Sequence, residues 1–335
     1  MTCREGLERV AQALRGAERI AIVGHLNPDG DCIGSALGMR LILRKMGKTA
    51  DVFIRDRVPE ILRFLSGADT VRTFQEAQGT YDVLLCVDCA DLGRIGGTPG
   101  SEAADAFESL RARSGMLCQI DHHGSNPLYG DAYAVDGEAA AACVLVYDEM
   151  EILGVPADRE IAECLYTGIS TDTGNFLQDN TNEGALRVVA AIQDTGFSQA
   201  ELGRHLFAER RPEQVALITR ALQTLRYAMD GQVTCMTLRK ADFEETGALA
   251  EDADTIVNFG RDICGVHMAM LARETDEGVK MSLRSIAPYR VNDVARAFGG
   301  GGHAQASGCT LHGMQLQEAA ERVFQALQEA LAQQL

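Results

Sequence analysis

Four short segments of this chain combine carboxylates with imidazoles at a spacing that could hold metal ions. Each is placed where a predicted strand ends: the triplet Asp121-His122-His123, then the segments 25–31, 87–91 and 171–174. Carboxylates outnumber imidazoles here, whereas structural zinc prefers thiolate and imidazole ligands. Oxygen-rich sets with some imidazole suit Mn²⁺ or Mg²⁺, and two such ions can clamp the oxygens of a phosphoryl transfer. The segments therefore predict a two-metal site for phosphoryl chemistry.

A simpler explanation for each aspartate is a helix cap, which is common where a strand gives way to a helix. The segment 25–31 is harder to explain in this way. His25, Asp29 and Asp31 lie within a few residues of one another, and the two carboxylates repel each other unless a cation is present. We therefore favour metal binding for the segment 25–31. For Asp91 we favour the simpler role of a helix cap.

The order of these motifs resembles the DHH phosphoesterase superfamily. The chain contains G-H-L-N-P-D-G-D, V-D-C-A-D, I-D-H-H and T-D-T-G-N-F in this order. The stretch 298–308, F-G-G-G-G-H-A-Q-A-S-G, is similar to the signature of the DHH-associated C-terminal domain. The chain length, the I-D-H-H-G-S-N stretch and the short C-terminal domain look most like the branch of bifunctional oligoribonucleases and pAp phosphatases, the nanoRNases.

The resemblance implies two divalent ions as cofactors, Mn²⁺ with Mg²⁺ as the alternative, that share the ligand Asp88. It assigns one ion to His25, Asp29 and Asp88, and the other to Asp31, Asp88, His122 and Asp172. A water between the ions would lose a proton near neutral pH and attack phosphorus. Asp88 is thereby part of the catalytic machinery.

Two neighbours of His122 have different implied roles. The resemblance implies that His123 contacts the substrate phosphate or acts as a general acid, and the alternative is a histidine that only supports the site. Asp121 is expected to orient a histidine rather than to bind metal.

The C-terminal motif implies a substrate-binding role for five residues: Arg284, Gly300, Gly301, Gly302 and His303. Glycines let backbone N–H groups approach an anion, and a guanidinium binds phosphate through two hydrogen bonds. Arg290 is a further candidate for contact with the phosphate. Phe176 could stack on a base or simply pack, and Leu177 stands where a polar or basic residue is expected.

The apolar runs alternate with helical patterns, which predicts an α/β fold with a parallel sheet. The predicted strands of the first domain are 20–23, 50–54, 83–87 and 116–120, and its helices are 7–14, 33–46, 139–153 and 159–169. The second, β-rich unit has predicted strands 233–238, 266–272 and 280–285, a Gly-rich loop at 299–302 and a helix at 315–332.

Ligands of open α/β sheets bind beyond the carboxyl ends of the strands, so one crevice can collect the residues that follow these strands. We expect a Rossmann-like catalytic DHH domain over residues 1–200, a helical linker at 201–228, and a smaller α/β DHH-associated domain over 229–335. The active site is expected in the cleft between the two domains.

Composition limits the partners. The 335 residues carry a net charge of −17, which argues against tracking along duplex nucleic acid but not against a short nucleotide. Ten scattered cysteines fit a reducing cytoplasm. Without a signal-like start or a run of eighteen apolar residues, neither export nor membrane insertion is expected. The sequence leaves a homodimer open.

We therefore expect a phosphoric ester hydrolase that cuts RNA fragments of a few nucleotides to mononucleotides and converts pAp to AMP. The nearest rival is a phosphodiesterase for cyclic or linear dinucleotides with the same metal site. A single-strand exonuclease, an inorganic pyrophosphatase and a nucleotide-binding regulator without catalysis are less favoured. The regulator would lack at least one metal ligand, and here every implied position is filled.

Overall fold

The structure is a computed structural model that describes residues 2–335. The chain divides into two compact units, Met1–Glu209 and Arg210–Leu335. The division falls within the segment 201–228, for which the sequence predicts a helical linker. The limits of the two domains stay a prediction.

The first unit is built on a sheet of five parallel strands in the order β2-β1-β3-β4-β5. The strands are β1 (Arg19–Val23), β2 (Thr49–Phe53), β3 (Tyr81–Val87), β4 (Ser114–Asp121) and β5 (Ala132–Val135). Alternate residues of β1 pack into two different hydrophobic cores. Ile20 and Ile22 belong to the larger core, and Ala21 and Val23 belong to the smaller one. The sheet is thus buried on both faces, as expected of a parallel sheet.

Helices cover both faces of this sheet. They are α1 (Cys3–Gly16), α2 (Gly30–Lys45), α3 (Gly93–Gly96), α4 (Glu102–Ala112), α5 (Ala142–Leu153), α6 (Arg159–Asp172), α7 (Glu183–Ala191) and α8 (Gln199–Gly203). The larger core contains residues from α1, α2, α5 and α6, and the smaller core contains Ile95 from α3 with Phe107 and Leu110 from α4. The predicted α/β architecture of this unit is confirmed.

The expectation that all four acidic segments follow strands is wrong for the segment 171–174, which follows the helix predicted at 159–169. Asp172 is the last residue of α6, which extends three residues beyond the predicted end at Ile169. The hydroxyl of Thr171 donates to the carbonyl of Thr167 at 2.8 Å, and that of Thr173 to Ile169 at 2.6 Å. Both hydroxyls thus bond back to carbonyls within the last helical turns. The backbone N–H of Thr173 donates to the carbonyl of Ile169 at 3.1 Å, so the helix continues to Asp172.

The second unit contains a mixed sheet in the order β10-β11-β9-β8-β7-β6, in which only β7 and β8 are parallel to each other. Its strands are β6 (Arg226–Ala228), β7 (Val233–Leu238), β8 (Met268–Thr275), β9 (Gly278–Ser285), β10 (Gly301–Gly302) and β11 (Ala306–Leu311). Its helices are α9 (Pro212–Gln223), α10 (Lys240–Thr246), α11 (Ile256–Arg261), α12 (Asn292–Ala297) and α13 (Leu316–Gln334).

The predicted Gly-rich loop therefore contains a two-residue strand, β10, which pairs with Ser307 and Gly308 of β11. One face of the sheet packs on α13 through Val323, Phe324 and Leu327, which belong to the same core as Met281 and Leu283 of β9.

Two further expectations concern the chain as a whole. All ten cysteines lie within the described residues and none is paired there. Within residues 2–335 no helix combines the length and the apolar character that a membrane crossing requires.

Candidate metal centre

Three neighbouring strands of the parallel sheet place one candidate ligand each at the same edge. His25 comes just after β1, Asp88 directly after β3 and His122 directly after β4. In the sheet order β3 lies between β1 and β4, so Asp88 is flanked by the two histidines. The helices contribute the remaining carboxylates at their ends, Asp29 and Asp31 at the start of α2 and Asp172 at the end of α6.

His122 lies against three carboxylates. Its Nε2 atom is 3.3 Å from Asp172 Oδ2, 3.4 Å from Asp88 Oδ1 and 3.8 Å from Asp31 Oδ2. Its Nδ1 atom lies 3.2 Å from the carbonyl oxygen of Ala139, which can only accept, so Nδ1 carries a proton. This arrangement turns the Nε2 lone pair of the neutral ring toward the carboxylates, the orientation that a metal-binding histidine needs.

His25 repeats the same pattern on the other side of Asp88. Its Nδ1 donates to the carbonyl of Leu26 at 2.8 Å, and its Nε2 lies 3.3 Å from Asp88 Oδ2 and 3.6 Å from Asp29 Oδ1. One oxygen of Asp88 therefore faces each histidine. Asp88 has a φ of 50°, a left-handed backbone that non-glycine residues adopt mainly where the surrounding structure enforces it.

The two carboxylates of the first α2 turn are held in different ways. Asp29 caps α2 by accepting from the N–H groups of Asp31 and Cys32 at 3.1 Å, and 55% of its side chain stays exposed. Asp31 is fully buried and accepts from the N–H groups of Ala142 and Cys143 at the start of α5, at 2.5 and 2.9 Å. The N-terminus of α5 thus fixes Asp31 by charge as well as by hydrogen bonds.

The electrostatics of the cluster favour added positive charge. Burial disfavours the charged form of His25, but hydrogen bonds to Asp29 and Asp88 outweigh it and raise its pKa to about 11. Burial, followed by the charge of Asp88, raises the pKa of Asp31 to about 7. Burial and the charge of Asp31 also raise the pKa of Asp172 well above its usual range.

Without a cation, the raised pKa values of His25, His122, Asp31 and Asp172 favour protons on both imidazoles and on two of the carboxyl groups. Divalent cations would supply the same positive charge without these protons. The donor atoms also lie close enough, because those of Asp31, His122 and Asp172, and those of Asp88, His122 and His123, fall within 4.8 Å of one another. His25 and Asp88 form a third such group with Cys32. Nitrogen and carboxylate donors fit hard or intermediate divalent ions.

His123 and Asp121 form a separate hydrogen-bonded pair beside the cluster. His123 Nδ1 lies 2.7 Å from Asp121 Oδ1 and 3.8 Å from Asp88 Oδ1. Asp121 is fully buried, and its second oxygen accepts from Asn126 Nδ2 at 2.6 Å. The sequence motifs do not single out Asn126 or its partner Gln119 as site residues. Gln119 was visible as an amide within the apolar run 116–120, while Asn126 carried no signal beyond the quoted motif.

The residues predicted to bind substrate lie in the second unit. Arg284 of β9 is opposite Ala306 of β11, and burial, followed by the charge of Arg261, lowers the pKa of its guanidinium. A Cβ on Gly300 would meet the carbonyl of Gly308 at 2.1 Å, so β11 requires glycine there.

A Cβ on Gly302 would lie 2.7 Å from Ser307 Cα, while one on Gly301 would meet nothing within 4 Å. The backbone N–H of His303 donates to the carbonyl of Ala306 at 2.8 Å.

Four further residues had open interpretations. Phe176 is half-buried and its ring lies 6.2 Å from that of Tyr166, whereas the next residue, Leu177, is 87% exposed. Asp91 Oδ1 accepts from the N–H of Arg94 at 3.1 Å, which is a capping contact. Arg290 is exposed and its N–H donates to Gln334.

Comparison with known proteins identifies the family. Residues 19–169 match the model of the DHH family, N-terminal domain, and residues 230–333 match the DHHA1 domain. The chain is 36% identical to the bifunctional oligoribonuclease and PAP phosphatase NrnA of Thermus thermophilus, over 98% of this chain and 95% of that protein.

Two solved structures extend the likeness. An exopolyphosphatase-related protein of Bacteroides fragilis has a TM-score of 0.86 at 26% identity, over 98% of this chain and 96% of that one. RecJ of Thermus thermophilus in complex with Mn²⁺ shares the fold, with a TM-score of 0.53 at 16% identity over 99% of this chain and 55% of that one. By its two domain matches and its similarity over nearly the whole length to a curated relative, this chain belongs to the DHH family of proteins that carry a DHHA1 domain.

Proposed function

We propose that this protein is a divalent-metal-dependent phosphoesterase that hydrolyses short oligoribonucleotides to mononucleotides and pAp to AMP. The convergence of Asp31, Asp88 and Asp172 on His122 Nε2 within 3.8 Å carries the proposal. The choice of substrate is supported by the 36% identity to a bifunctional oligoribonuclease and PAP phosphatase across both domains. The unpaired cysteines support our further proposal of a reducing, cytoplasmic location.

The residues would hold two ions in adjacent sites. His25, Asp29 and Asp88 would bind one, and Asp31, Asp88, His122 and Asp172 the other, so that Asp88 serves both. Divalent ions at such a site lower the pKa of a bound water and neutralise charge that develops on a phosphoryl group. We propose Mn²⁺ rather than Mg²⁺, because each site includes an imidazole nitrogen, which Mg²⁺ binds poorly.

The protein's own side chains would handle the leaving group. His123 shares its Nδ1 proton with Asp121 at 2.7 Å, so Nε2 is the nitrogen that can exchange a proton with substrate. We propose that His123 donates this proton to the leaving oxygen. The carboxylate of Asp121 would stabilise the doubly protonated ring that serves as the donor, as a buried aspartate does for other catalytic histidines.

The far end of the nucleotide would be held by the second unit, through Arg284, His303 and the backbone of Gly300, Gly301 and Gly302. Arg284 suits this role because burial and the charge of Arg261 lower the pKa of its guanidinium more than the charge of Asp254 raises it. The negative charge of a phosphate would compensate for the burial of this cation and for the repulsion by Arg261. Arg284→Ala should therefore raise KM for pAp while the Mn²⁺ content of the protein stays unchanged.

The proposed activity is tested by a product profile in Mn²⁺ buffer on four substrates: pAp, an RNA dinucleotide, a cyclic dinucleotide and pyrophosphate. We expect AMP from pAp and mononucleotides from the RNA, both abolished by excess chelator and restored by Mn²⁺. Turnover in excess chelator would contradict the metal-dependent chemistry. Hydrolysis of only the cyclic dinucleotide or only pyrophosphate would assign the same centre to a different substrate.

A further inference from the structure

A continuous chain of amide hydrogen bonds ends on the His123–Asp121 pair. Asn126 Nδ2 lies 2.6 Å from Asp121 Oδ2, and Gln119 Nε2 lies 2.9 Å from Asn126 Oδ1. The chain begins at a backbone group, because the N–H of Gly130 donates to Gln119 Oε1 at 2.7 Å. Asp121 and Gln119 are completely buried and Asn126 is half-buried, so water has limited access to these bonds.

The backbone determines the direction of every bond in this chain. The N–H of Gly130 can only donate, which makes the bonded atom of Gln119 its oxygen and turns its NH₂ group toward Asn126.

The same logic applies to Asn126. Its Oδ1 atom accepts from the N–H of Leu128 at 2.8 Å, and its Nδ2 atom faces the carbonyl of Cys89 at 3.2 Å. Both amides therefore have one allowed orientation, and Asn126 must donate to Asp121.

With Asn126 donating to Oδ2, Asp121 is held as an acceptor on both oxygens, and its Oδ1 takes the Nδ1 proton of His123. The ring is thereby fixed in the tautomer and orientation in which Nε2 exchanges protons. Asn126 also binds the carbonyl of Cys89, the residue after Asp88, and so connects the loop of β4 to that of β3.

We infer that Asn126, supported by Gln119, is a positioning residue that orients His123 through Asp121 for proton donation to the leaving group. The inference rests on the proposed phosphoesterase function. In that reaction a water oxygen forms the new bond to phosphorus while the bond to the leaving nucleoside oxygen breaks. That oxygen takes the proton from His123 Nε2, the water releases a proton to solvent, and the ring is reprotonated from solvent.

A purely structural role for Asn126 makes a different prediction, because a displaced loop would slow all substrates alike. The discriminating pair is an RNA dinucleotide and the p-nitrophenyl ester of a nucleotide, whose leaving group departs without a proton. For Asn126→Ala we expect kcat to fall about 30-fold on the dinucleotide, as for loss of an orienting partner, and about threefold or less on the nitrophenyl ester. KM and Mn²⁺ content should change little.

Two further variants make the test independent of one substitution. Gln119→Met keeps the side-chain volume but removes the donor to Asn126, and it should show a smaller loss with the same preference for the nitrophenyl ester. In a His123→Ala background, Asn126→Ala should reduce kcat on the dinucleotide by less than about twofold, because residues that act as a unit are not additive.

Asn182→Ala provides the matched control, since this amide also joins two backbone groups, the N–H of Ala185 at 3.0 Å and the carbonyl of Glu138 at 2.7 Å. It should show no preference between the two esters. Equal losses on both esters in Asn126→Ala, or a full additional loss in the His123→Ala background, would overturn the inference. Failure of the wild-type protein to cleave the RNA dinucleotide would instead refute the proposed function, an outcome that is distinct from equal losses of the variant on the two esters.

Discussion

Asp88 is the residue on which the centre depends most, because its two oxygens face different histidines at 3.3 and 3.4 Å. We predict that Asp88→Asn lowers the affinity for both ions and reduces kcat at least about 100-fold at fixed Mn²⁺. Asparagine tolerates the left-handed φ of 50° at this position, so the loss reports charge rather than backbone strain. Equilibrium dialysis with Mn²⁺, followed by metal analysis, measures the number of bound ions and the affinity of the protein for them.

The control for this prediction is Asp91→Asn in the same loop. Asp91 is exposed and accepts from the N–H of Arg94, a bond that an asparagine oxygen can also accept. It should retain both ions and the wild-type rate. Wild-type Mn²⁺ binding in Asp88→Asn would rule out Asp88 as a shared ligand.

Glu149 of α5 gives the first unit a pH-dependent stability. It is 0% exposed, neither carboxylate oxygen has a hydrogen-bond partner within residues 2–335, and burial raises its pKa to about 8. The folded protein therefore holds a proton on Glu149 more tightly than the unfolded chain does. In the unfolded chain the pKa of this carboxyl group is near 4.5. The contribution of Glu149 to stability is fully present below that value and is lost as the pH rises toward 8.

We therefore predict that Glu149→Gln removes part of this pH dependence. Between pH 5.5 and 8 the wild-type protein should lose about 3 kcal/mol of unfolding free energy relative to the variant. Urea unfolding at the two pH values measures the difference. Glu151→Gln, on the same helix but exposed, should leave the slope unchanged, and an unchanged slope in Glu149→Gln as well would contradict the assigned pKa.

At the residue scale, sequence reasoning was strongest where a motif fixed both residue type and position. His25, Asp88 and His122 follow apolar runs that are visible in the sequence, and the structure gathers them at one sheet edge. Asn126 and Glu149 were missed for a physical reason. The role of each depends on the groups that surround its side chain, a half-buried amide for Asn126 and a buried carboxyl for Glu149. Neither the spacing nor the composition of the sequence reveals such contacts.

At the scale of elements, the close crossing of α2 and α6 brings their carboxylates together. A Cβ on Gly34 of α2 would lie 2.5 Å from the carbonyl oxygen of Cys164 in α6, and one on Gly168 of α6 would lie 2.6 Å from Asp31 Oδ1. Glycine at both positions therefore permits a helix separation that larger residues would prevent. Asp31 at the start of α2 and Asp172 at the end of α6 reach His122 as a result.

We predict that Gly34→Ala destabilises the first unit by about 2 kcal/mol, because the new methyl group meets backbone that cannot move away easily. Its affinity for Mn²⁺ should fall as well, since α2 carries Asp29 and Asp31. Gly38→Ala on the same helix is the control. Its Cβ would have its nearest neighbour at 3.7 Å, and replacing an interior helix glycine should stabilise by about 0.5–1 kcal/mol.

Thermal unfolding and metal titration of both variants measure these effects. Equal behaviour of Gly34→Ala and Gly38→Ala would show that the helix crossing does not depend on glycine.

The elements themselves were predictable where their hydrophobic pattern was long. The strands before His25, Asp88 and His122 end within one residue of their predicted ends. The edge strand β5 was not predicted, because it has four residues and only one neighbour, β4, and so leaves a weak pattern. The end of α6 was misplaced because threonine hydroxyls, which usually disfavour helix interiors, here bond back to helix carbonyls.

At the scale of the whole molecule, the net negative charge affects an extended nucleic acid differently from a short nucleotide bound at the site. Lys and Arg number 31 against 48 Asp and Glu, so the protein repels an extended polyanion at a distance. Binding of nucleic acid by counterion release needs many cationic contacts along the backbone, which this composition disfavours. A short nucleotide needs few such contacts, and the proposed ions and Arg284 would provide them.

We therefore predict that the initial rate at fixed salt is highest for RNAs of two to five nucleotides and for pAp, and that it falls for longer strands. Each added nucleotide brings a phosphate that gains no matching cation, while it must still leave water and approach a surface of net charge −17. Duplex DNA should be nearly inert at every salt concentration. Rates measured on a ladder of RNA lengths, at low and physiological salt, test this directly. Because repulsion is screened by salt, the decline with length should be steeper at low salt. A rate that climbs steadily with length would contradict this prediction and would indicate a processive exonuclease.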